Sequence, residues 1–208
     1  VDARTHPHIT TGRAENKFGV ETAEALRIFR KAAADPRLRV VGVQCHIGSQ
    51  ITELEPYEAA ATAVAALTAR LETEGIPLAF ADLGGGLGIN YKDETPLAPE
   101  RVVKAFEKAF KRLPRLELLM EPGRYLVAHA GVLLTRVLDR KGTTKRRFII
   151  VDGAMTDLPR PALYDAWHPV EAVAPRPGEK TTADVVGPVC ETGDFLARQR
   201  SLPPLERG

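Results

Sequence analysis

An alternation of three short apolar runs with helical segments constrains this fold most. The runs cover residues 39–47, 77–83 and 115–121, and their β-branched and aliphatic residues predict buried strands. Residues 52–74 and 100–113 lie between the runs and repeat apolar side chains at helical spacing. This order is typical of a parallel sheet, because parallel strands need crossover connections. The sequence therefore predicts an α/β domain.

Local signals refine the ends of these elements. Residues 1–20 are polar and predict a loop, and residues 21–35 carry apolar positions at helical spacing and predict a first helix. Thr52 and Glu55 have the spacing of a capping box, which predicts Thr52 as an N-cap. Gly75 is predicted to end that helix.

The predicted secondary structure changes near residue 125. Residues 125–142 and 146–153 are β-rich, and no clear helix follows them. We therefore predict two domains, with an α/β domain over residues 1–125 and a mainly antiparallel β-domain over residues 126–208.

Charge and composition exclude several classes of protein. The 208 residues contain 29 Lys and Arg against 27 Asp and Glu, which argues against a nucleic-acid binder. The chain has neither a signal segment nor an apolar run of about 18 residues, so no membrane partner is predicted and a cytoplasmic location is expected. Cys45 and Cys190 do not form a disulfide scaffold. His6-Pro7-His8 comes nearest to a metal-binding pattern, and no metal site is predicted.

Polar or glycine-rich residues follow each of the three predicted strands. They are His46 to Gln50, Gly84 to Gly88 and Glu121 to Arg124. Functional sites of parallel sheets form at the carboxyl ends of the strands. The glycine run either lets backbone N–H groups approach a phosphate or makes a tight turn.

The side chains at these positions leave two interpretations open in each case. Arg124 can pair with a phosphate or carboxylate and Glu121 with a cationic ring nitrogen, or the two form a surface ion pair. His46 either stacks on a flat cofactor or is structural. Cys190 either acts as an acid or base or is a small buried apolar residue.

Six strings occur in the order found in one protein family. Together they resemble the alanine-racemase-like, fold-type III pyridoxal-phosphate decarboxylases. The strings occupy residues 5–19, 45–51, 82–89, 120–131, 151–170 and 185–197. The resemblance implies part of a pyridoxal-phosphate-binding (β/α)8 TIM-type barrel, followed by part of a mainly antiparallel β-domain.

The resemblance also implies a role for each candidate residue around the cofactor. His46 would stack on the pyridine ring, and Glu121 would pair with its nitrogen. The residues implied around the phosphate and the rest of the cofactor are Ser49, Gly85, Gly86, Gly123 and Arg124.

For the substrate, the resemblance implies contributions from both parts of the chain. Arg124 would also reach a substrate carboxylate, and Arg160 with Tyr164 would hold the carboxylate at its far end. Cys190 would donate a proton to the α-carbon, and Glu191 would meet the distal ammonium group. In the family the last two residues enter the partner subunit's site, which implies a head-to-tail homodimer.

The implied reaction is decarboxylation of meso-2,6-diaminopimelate to L-lysine and carbon dioxide. The string around Arg160 and Tyr164 and the string at residues 190–194 favour this substrate. The alternatives are a sister decarboxylase acting on ornithine, arginine or carboxynorspermidine, or a non-catalytic pyridoxal-phosphate-binding pseudoenzyme.

One family feature has no counterpart in the sequence. The family holds its cofactor on a lysine in a Tyr-x-x-Lys-Ala-Asn string, and no lysine of this chain lies in that context. The chain also begins with Val1 rather than a methionine. We therefore expect the lysine in an upstream region of a longer protein, and we expect the 208 residues alone to be inactive.

Overall fold

The computed structural model describes residues 17–143 and 145–208. The His6-Pro7-His8 motif and the predicted loop before residue 17 lie outside the described residues. Residues 17–20 contain no helix or strand, as the sequence predicts.

The chain divides into two compact units. The first unit reaches Ala130 but omits Tyr91–Asp93, and the second consists of Tyr91–Asp93 and Gly131–Gly208. The sequence predicted the boundary at residue 125, five residues before this division.

The first unit contains a parallel sheet whose strands alternate with helices. Its elements are α1 (Thr22–Ala33), β1 (Gly42–Gln44), α2 (Glu55–Thr73), β2 (Phe80–Asp82), α3 (Pro99–Phe110), β3 (Glu117–Leu119), α4 (Gly123–Val127) and a 3-10 turn (Ala128–Ala130). The strand order is β1-β2-β3, and both neighbouring pairs are parallel. The predicted α/β order is therefore confirmed.

Helices α2 and α3 pack together and supply much of the core of the first unit. Val102 and Phe106 lie one turn apart on α3 and are almost fully buried. Tyr57 of α2 meets Phe106 edge to face, with 6.1 Å between the ring centroids. The apolar spacing seen in the sequence is thus the face that holds the helices together.

Of the two predicted ends of α2, the carboxyl-terminal one is confirmed and the amino-terminal one is wrong. Gly75 follows the helix with φ +78°, and the Ile76 N–H donates to the Leu71 oxygen across the helix end, as predicted for a glycine stop. The predicted Thr52 cap is wrong, because Leu54 is the N-cap and no side chain caps the helix. Ile51, just before Thr52, is held in a parallel bridge with Leu87, which delays the start of the helix.

The β-rich prediction for residues 125–142 is wrong in its first part. Residues Gly123–Val127 form α4 and Ala128–Ala130 form a 3-10 turn, and strand structure begins only at Val137. A short apolar run does not distinguish a strand from a helix by periodicity, and here Pro122-Gly123 starts a helical turn.

The second unit is built on a four-stranded sheet. Its elements are β4 (Val137–Gly142), β5 (Arg147–Val151), α5 (Arg160–Tyr164), β6 (Thr181–Val186) and β7 (Phe195–Leu202). The sheet order follows the chain, with β4–β5 and β6–β7 antiparallel but β5–β6 parallel. The mainly antiparallel sheet is confirmed. The expectation of no helix is wrong, because α5 lies in the long crossover between β5 and β6 and packs on β7.

Two further findings concern only the part of the chain that the structure describes. None of its helices is both long and apolar enough to cross a membrane. No group of three or more His, Cys, Asp or Glu side chains could hold a metal ion.

Candidate functional site

Hydrogen bonds between the parallel strands continue past the strand ends and bring the candidate residues of the first unit together. The Cys45 N–H donates to the Asp82 oxygen at 2.9 Å, and the Glu121 N–H donates to the Gly84 oxygen at 2.9 Å. His46, the glycine run and Glu121 consequently share one edge of the sheet. This is the carboxyl-terminal edge that the sequence predicted.

The glycine run is packed between the neighbouring strand ends. A Cβ on Gly85 would overlap the carbonyl oxygen of Glu121, and one on Gly86 would overlap the carbonyl oxygen of Gly48. Gly86 also has φ +94°, which L side chains rarely adopt. Glycine is needed here for the close approach of three chain segments, so the tight-turn interpretation describes at least part of its role.

His46 and Glu121 are both exposed at this edge. The Gly85 N–H donates to His46 Nδ1 at 3.4 Å, which ties the imidazole to the glycine run. Gln44 donates from Nε2 to Glu121 Oε2 at 3.3 Å. A flat aromatic ring and a carboxylate therefore stand on either side of the glycine run, each with surface open to a ligand.

Gln50 is a positioning residue that sequence reasoning missed. Its Oε1 accepts hydrogen bonds from the Ile89 N–H and from Arg124 Nη1, both at 3.2 Å. Its Nε2 donates to the Ile89 oxygen at 2.6 Å. Gln50 thus links the loop after β1, the loop after β2 and the guanidinium of Arg124. Gln50 ends the string from His46 to Gln50, but nothing in that string indicates these hydrogen-bond partners.

The other two cofactor candidates of the first unit lie on either side of this link. Ser49 is partly buried and immediately precedes Gln50. Gly123 is exposed at the first position of α4, and a Cβ there would meet open space.

Tyr57 of α2 contacts the glycine run and is a second residue that the sequence analysis did not identify. It is 1% exposed, and its hydroxyl donates to the Gly85 oxygen at 3.3 Å. Burial raises the pKa of the Tyr57 hydroxyl, so the group is a neutral donor at physiological pH.

Cys45 lies beside these residues but is an inert thiol. Burial, and then the negative charge of Asp82, raise the pKa of Cys45 to about 11. The Cys45 thiol is therefore mostly protonated near neutral pH and a weak nucleophile there.

In the second unit, Arg160 is held among aromatic rings. Arg160 Nη1 lies 3.1 Å from His168 Nε2, and its guanidinium carbon lies 4.6 Å from the centre of the Tyr91 ring. Tyr91 in turn meets His168 edge to face at 5.1 Å. Tyr164, the last residue of α5, is partly buried. This packing fixes the position of Arg160, and neither Tyr91 nor His168 was predicted to contribute to it.

Cys190 and Glu191 occupy the loop between β6 and β7. Both side chains are exposed. The alternative of a buried, purely structural cysteine is therefore wrong for Cys190.

Comparison with known proteins places the chain in a family. The pyridoxal-binding domain of the pyridoxal-dependent decarboxylases matches residues 1–128. The C-terminal sheet domain of the same decarboxylases matches residues 124–208. The chain belongs to the pyridoxal-dependent decarboxylase family. The predicted family, fold class and pyridoxal phosphate cofactor are thereby confirmed.

Its curated relatives include diaminopimelate decarboxylases. The chain is 52% identical to that of Pseudomonas fluorescens over 208 residues, covering all of this chain and 50% of the relative. It is 49% identical to that of Neisseria meningitidis over 205 residues, covering 97% of this chain and 50% of the relative. The chain thus spans about half the length of these relatives.

Two solved decarboxylase structures share the fold of this chain. The diaminopimelate decarboxylase of Helicobacter pylori, solved with L-lysine, matches with a TM-score of 0.93 at 43% identity, covering all of this chain and 52% of that one. The lysine decarboxylase of Selenomonas ruminantium matches with a TM-score of 0.79 at 28% identity, covering 96% of this chain and 54% of that one.

The residues at the sheet edge fit pyridoxal phosphate chemically. The exposed imidazole of His46 offers a face for a flat ring, and the exposed carboxylate of Glu121 suits a protonated ring nitrogen. Arg124 offers a guanidinium for phosphate, and Gln50 restrains it.

Proposed function

We propose that this chain is part of a pyridoxal-phosphate-dependent enzyme that decarboxylates meso-2,6-diaminopimelate to L-lysine and carbon dioxide. The observation that carries the proposal is the grouping of His46, the glycine run and the pair Glu121 and Arg124, which come from three different chain segments of the first unit. The names of the relatives supply the substrate class. Two arginines, Arg124 and Arg160, also suit a substrate with two carboxylates.

Residues of the first unit prepare the cofactor. Pyridoxal phosphate, when bound, supplies the electron sink for the pair of electrons that departing carbon dioxide leaves behind. Glu121 would pair with the ring nitrogen, and a carboxylate there would favour the protonated nitrogen. His46 would support the ring by stacking. Ser49, Gly85, Gly86, Gly123 and Arg124 would hold the phosphate and the rest of the cofactor.

Residues of the second unit recognise the substrate and complete the reaction. Arg160 and Tyr164 hold the distal carboxylate, and Glu191 binds the distal ammonium group. Cys190 would be the acid that supplies a proton to the α-carbon of the substrate. The exposure of Cys190 and Glu191 supports these roles.

We further propose that the enzyme is a cytoplasmic homodimer with sites shared between subunits. Cys190 and Glu191 of each subunit would act in the site of the partner. Mixing a Cys190→Ala subunit with a Glu121→Gln subunit would test this arrangement. Partial recovery of activity in the mixture supports shared sites, and no recovery contradicts them.

The decisive experiment measures lysine and carbon dioxide released by the full-length protein with added pyridoxal phosphate. We expect a strong preference for meso-2,6-diaminopimelate over ornithine, arginine and carboxynorspermidine. Preference for one of these three would instead make it a sister decarboxylase. Absence of activity, with no cofactor absorbance that borohydride alters, would indicate a non-catalytic binding protein.

A pair of matched variants tests the role of Glu121. Glu121→Gln removes the charge and should lower kcat by about 100-fold or more, the scale of a lost electrostatic contact in an active site. Glu117→Gln changes another exposed glutamate of the same segment, at the start of β3, and should leave kcat within about twofold of wild type. Equal effects of the two substitutions would contradict the assignment.

A further inference from the structure

The loop that carries Cys190 and Glu191 is organised by a buried carboxylate just after them. Asp194 is 3% exposed. Its Oδ1 accepts a hydrogen bond from the Met155 N–H at 2.6 Å, and its Oδ2 accepts one from the Val189 N–H at 2.8 Å. Burial of an ionisable side chain is costly unless its oxygens are bonded in this way.

The backbone of Asp194 closes the same loop. Its N–H donates to the Glu191 oxygen at 3.0 Å, and its carbonyl accepts from the Gly187 N–H at 3.2 Å. A Cβ on Gly187 would overlap the Asp194 carboxylate. Side chain and backbone together therefore fix both ends of the loop.

The Met155 contact extends the influence of Asp194 to a second functional segment. Met155 lies in a turn after β5, where the Ala154 N–H donates to Asp157 Oδ2 at 2.9 Å. This turn leads directly into α5, which begins at Arg160. Asp194 thus bonds the loop of Cys190 to the turn that precedes the proposed substrate-binding helix.

We propose that Asp194 is a positioning residue that sets the placement of Cys190 and Glu191 relative to the turn before α5. The proposal rests on the proposed function for the roles of those two residues. Both donors to the carboxylate are backbone N–H groups, so no alternative side-chain rotamer can relieve their loss. Removing an acceptor leaves a buried N–H unsatisfied, and the loop must move to regain a partner.

The test compares Asp194→Asn with a control variant in the same sheet domain. Asp184 is also an aspartate that is 3% exposed, and it pairs with Arg146 at 2.6 Å and accepts the Gln199 N–H at 2.7 Å. Asp184→Asn therefore disturbs a comparable buried carboxylate that makes none of the loop contacts above. Each variant is made in the full-length holoenzyme and compared below its unfolding temperature.

Two quantities are measured for each variant. The first is the rate at which the Cys190 peptide gains mass from iodoacetamide, and the second is kcat with meso-2,6-diaminopimelate. A misplacement of about 1 Å can lower a rate by about 100-fold, so we expect Asp194→Asn to lower kcat by at least about tenfold. We also expect its Cys190 alkylation rate to differ from wild type by about threefold or more, since thiol reactivity follows local environment.

The outcomes separate this proposal from the proposed function. Alkylation and kcat that both match those of Asp184→Asn overturn the positioning role, whatever the enzyme decarboxylates. A changed alkylation rate supports the positioning role even if the wild-type protein does not decarboxylate diaminopimelate. That second result would contradict only the proposed function. Should Asp194→Asn not fold, Gly187→Ala displaces the same carboxylate without changing charge, and the same two measurements decide.

Discussion

Replacing Gly85 with alanine tests whether the close approach of strand ends holds the cofactor edge together. The new Cβ would lie closer than 3.0 Å to the Glu121 carbonyl oxygen, so the glycine run and the end of β3 must both move to separate. That movement breaks the Glu121 N–H bond to Gly84 (2.9 Å) and the Tyr57 hydroxyl bond to Gly85 (3.3 Å). Overpacking costs about 1–3 kcal/mol and each lost bond about 1 kcal/mol, so the free energy of unfolding should fall by about 3–5 kcal/mol.

Urea unfolding of the full-length protein, followed by circular dichroism, measures this loss. A titration with pyridoxal phosphate should show weakened binding in the same variant. The matched control is Gly131→Ala, where an added Cβ meets open space and the backbone is not left-handed. It should change the free energy of unfolding by less than about 0.5 kcal/mol. If Gly85→Ala unfolds at the wild-type urea concentration and binds the cofactor as tightly, the packing argument is refuted.

Three further predictions follow from other features. Tyr57→Phe leaves the Gly85 carbonyl without this donor and should reduce the free energy of unfolding by about 1 kcal/mol in urea. Cys45 has a pKa of about 11 and stays protonated at pH 8, so iodoacetamide should label exposed Cys190 well before Cys45 by mass spectrometry, and labelling of Cys45 should accelerate as pH rises. The 208-residue chain alone should release no carbon dioxide from diaminopimelate under conditions in which the full-length protein does; release would show that it needs no further lysine.

Long periodic elements of this fold were predictable, and short or context-dependent ones were not. The spacing of Val102 and Phe106 gave α3 because one helical face is buried. The predicted strands were longer than the three-residue strands observed, because pairing covers only part of each apolar run, as in β2, where Phe80–Asp82 pairs with both β1 and β3. The start of α2 was missed because a contact distant in sequence, Ile51 with Leu87, holds the preceding chain.

Some residues of the candidate site could also be predicted from the sequence, and others could not. Residues with distinctive chemistry, such as His46 and Glu121, could be selected from the sequence because they follow strand ends. Gln50, Tyr57 and Asp194 could not, because their importance lies in hydrogen bonds to backbone atoms of segments brought close only by folding. Amide, phenol and carboxylate groups are common, and nothing in their sequence spacing reveals such partners.

The parallel pairing of β5 and β6 has a consequence for how substrate preference can change. A hairpin between these strands would need only a few residues, whereas the parallel arrangement obliges the chain to travel back across the sheet through residues 152–180. Arg160 and Tyr164 stand on this return path, outside the strand pairing itself. This path lies outside the strand register, so a change in its length leaves the pairing of β5 with β6 in register. A graft of this path from a relative with another substrate is a direct route to altered selectivity.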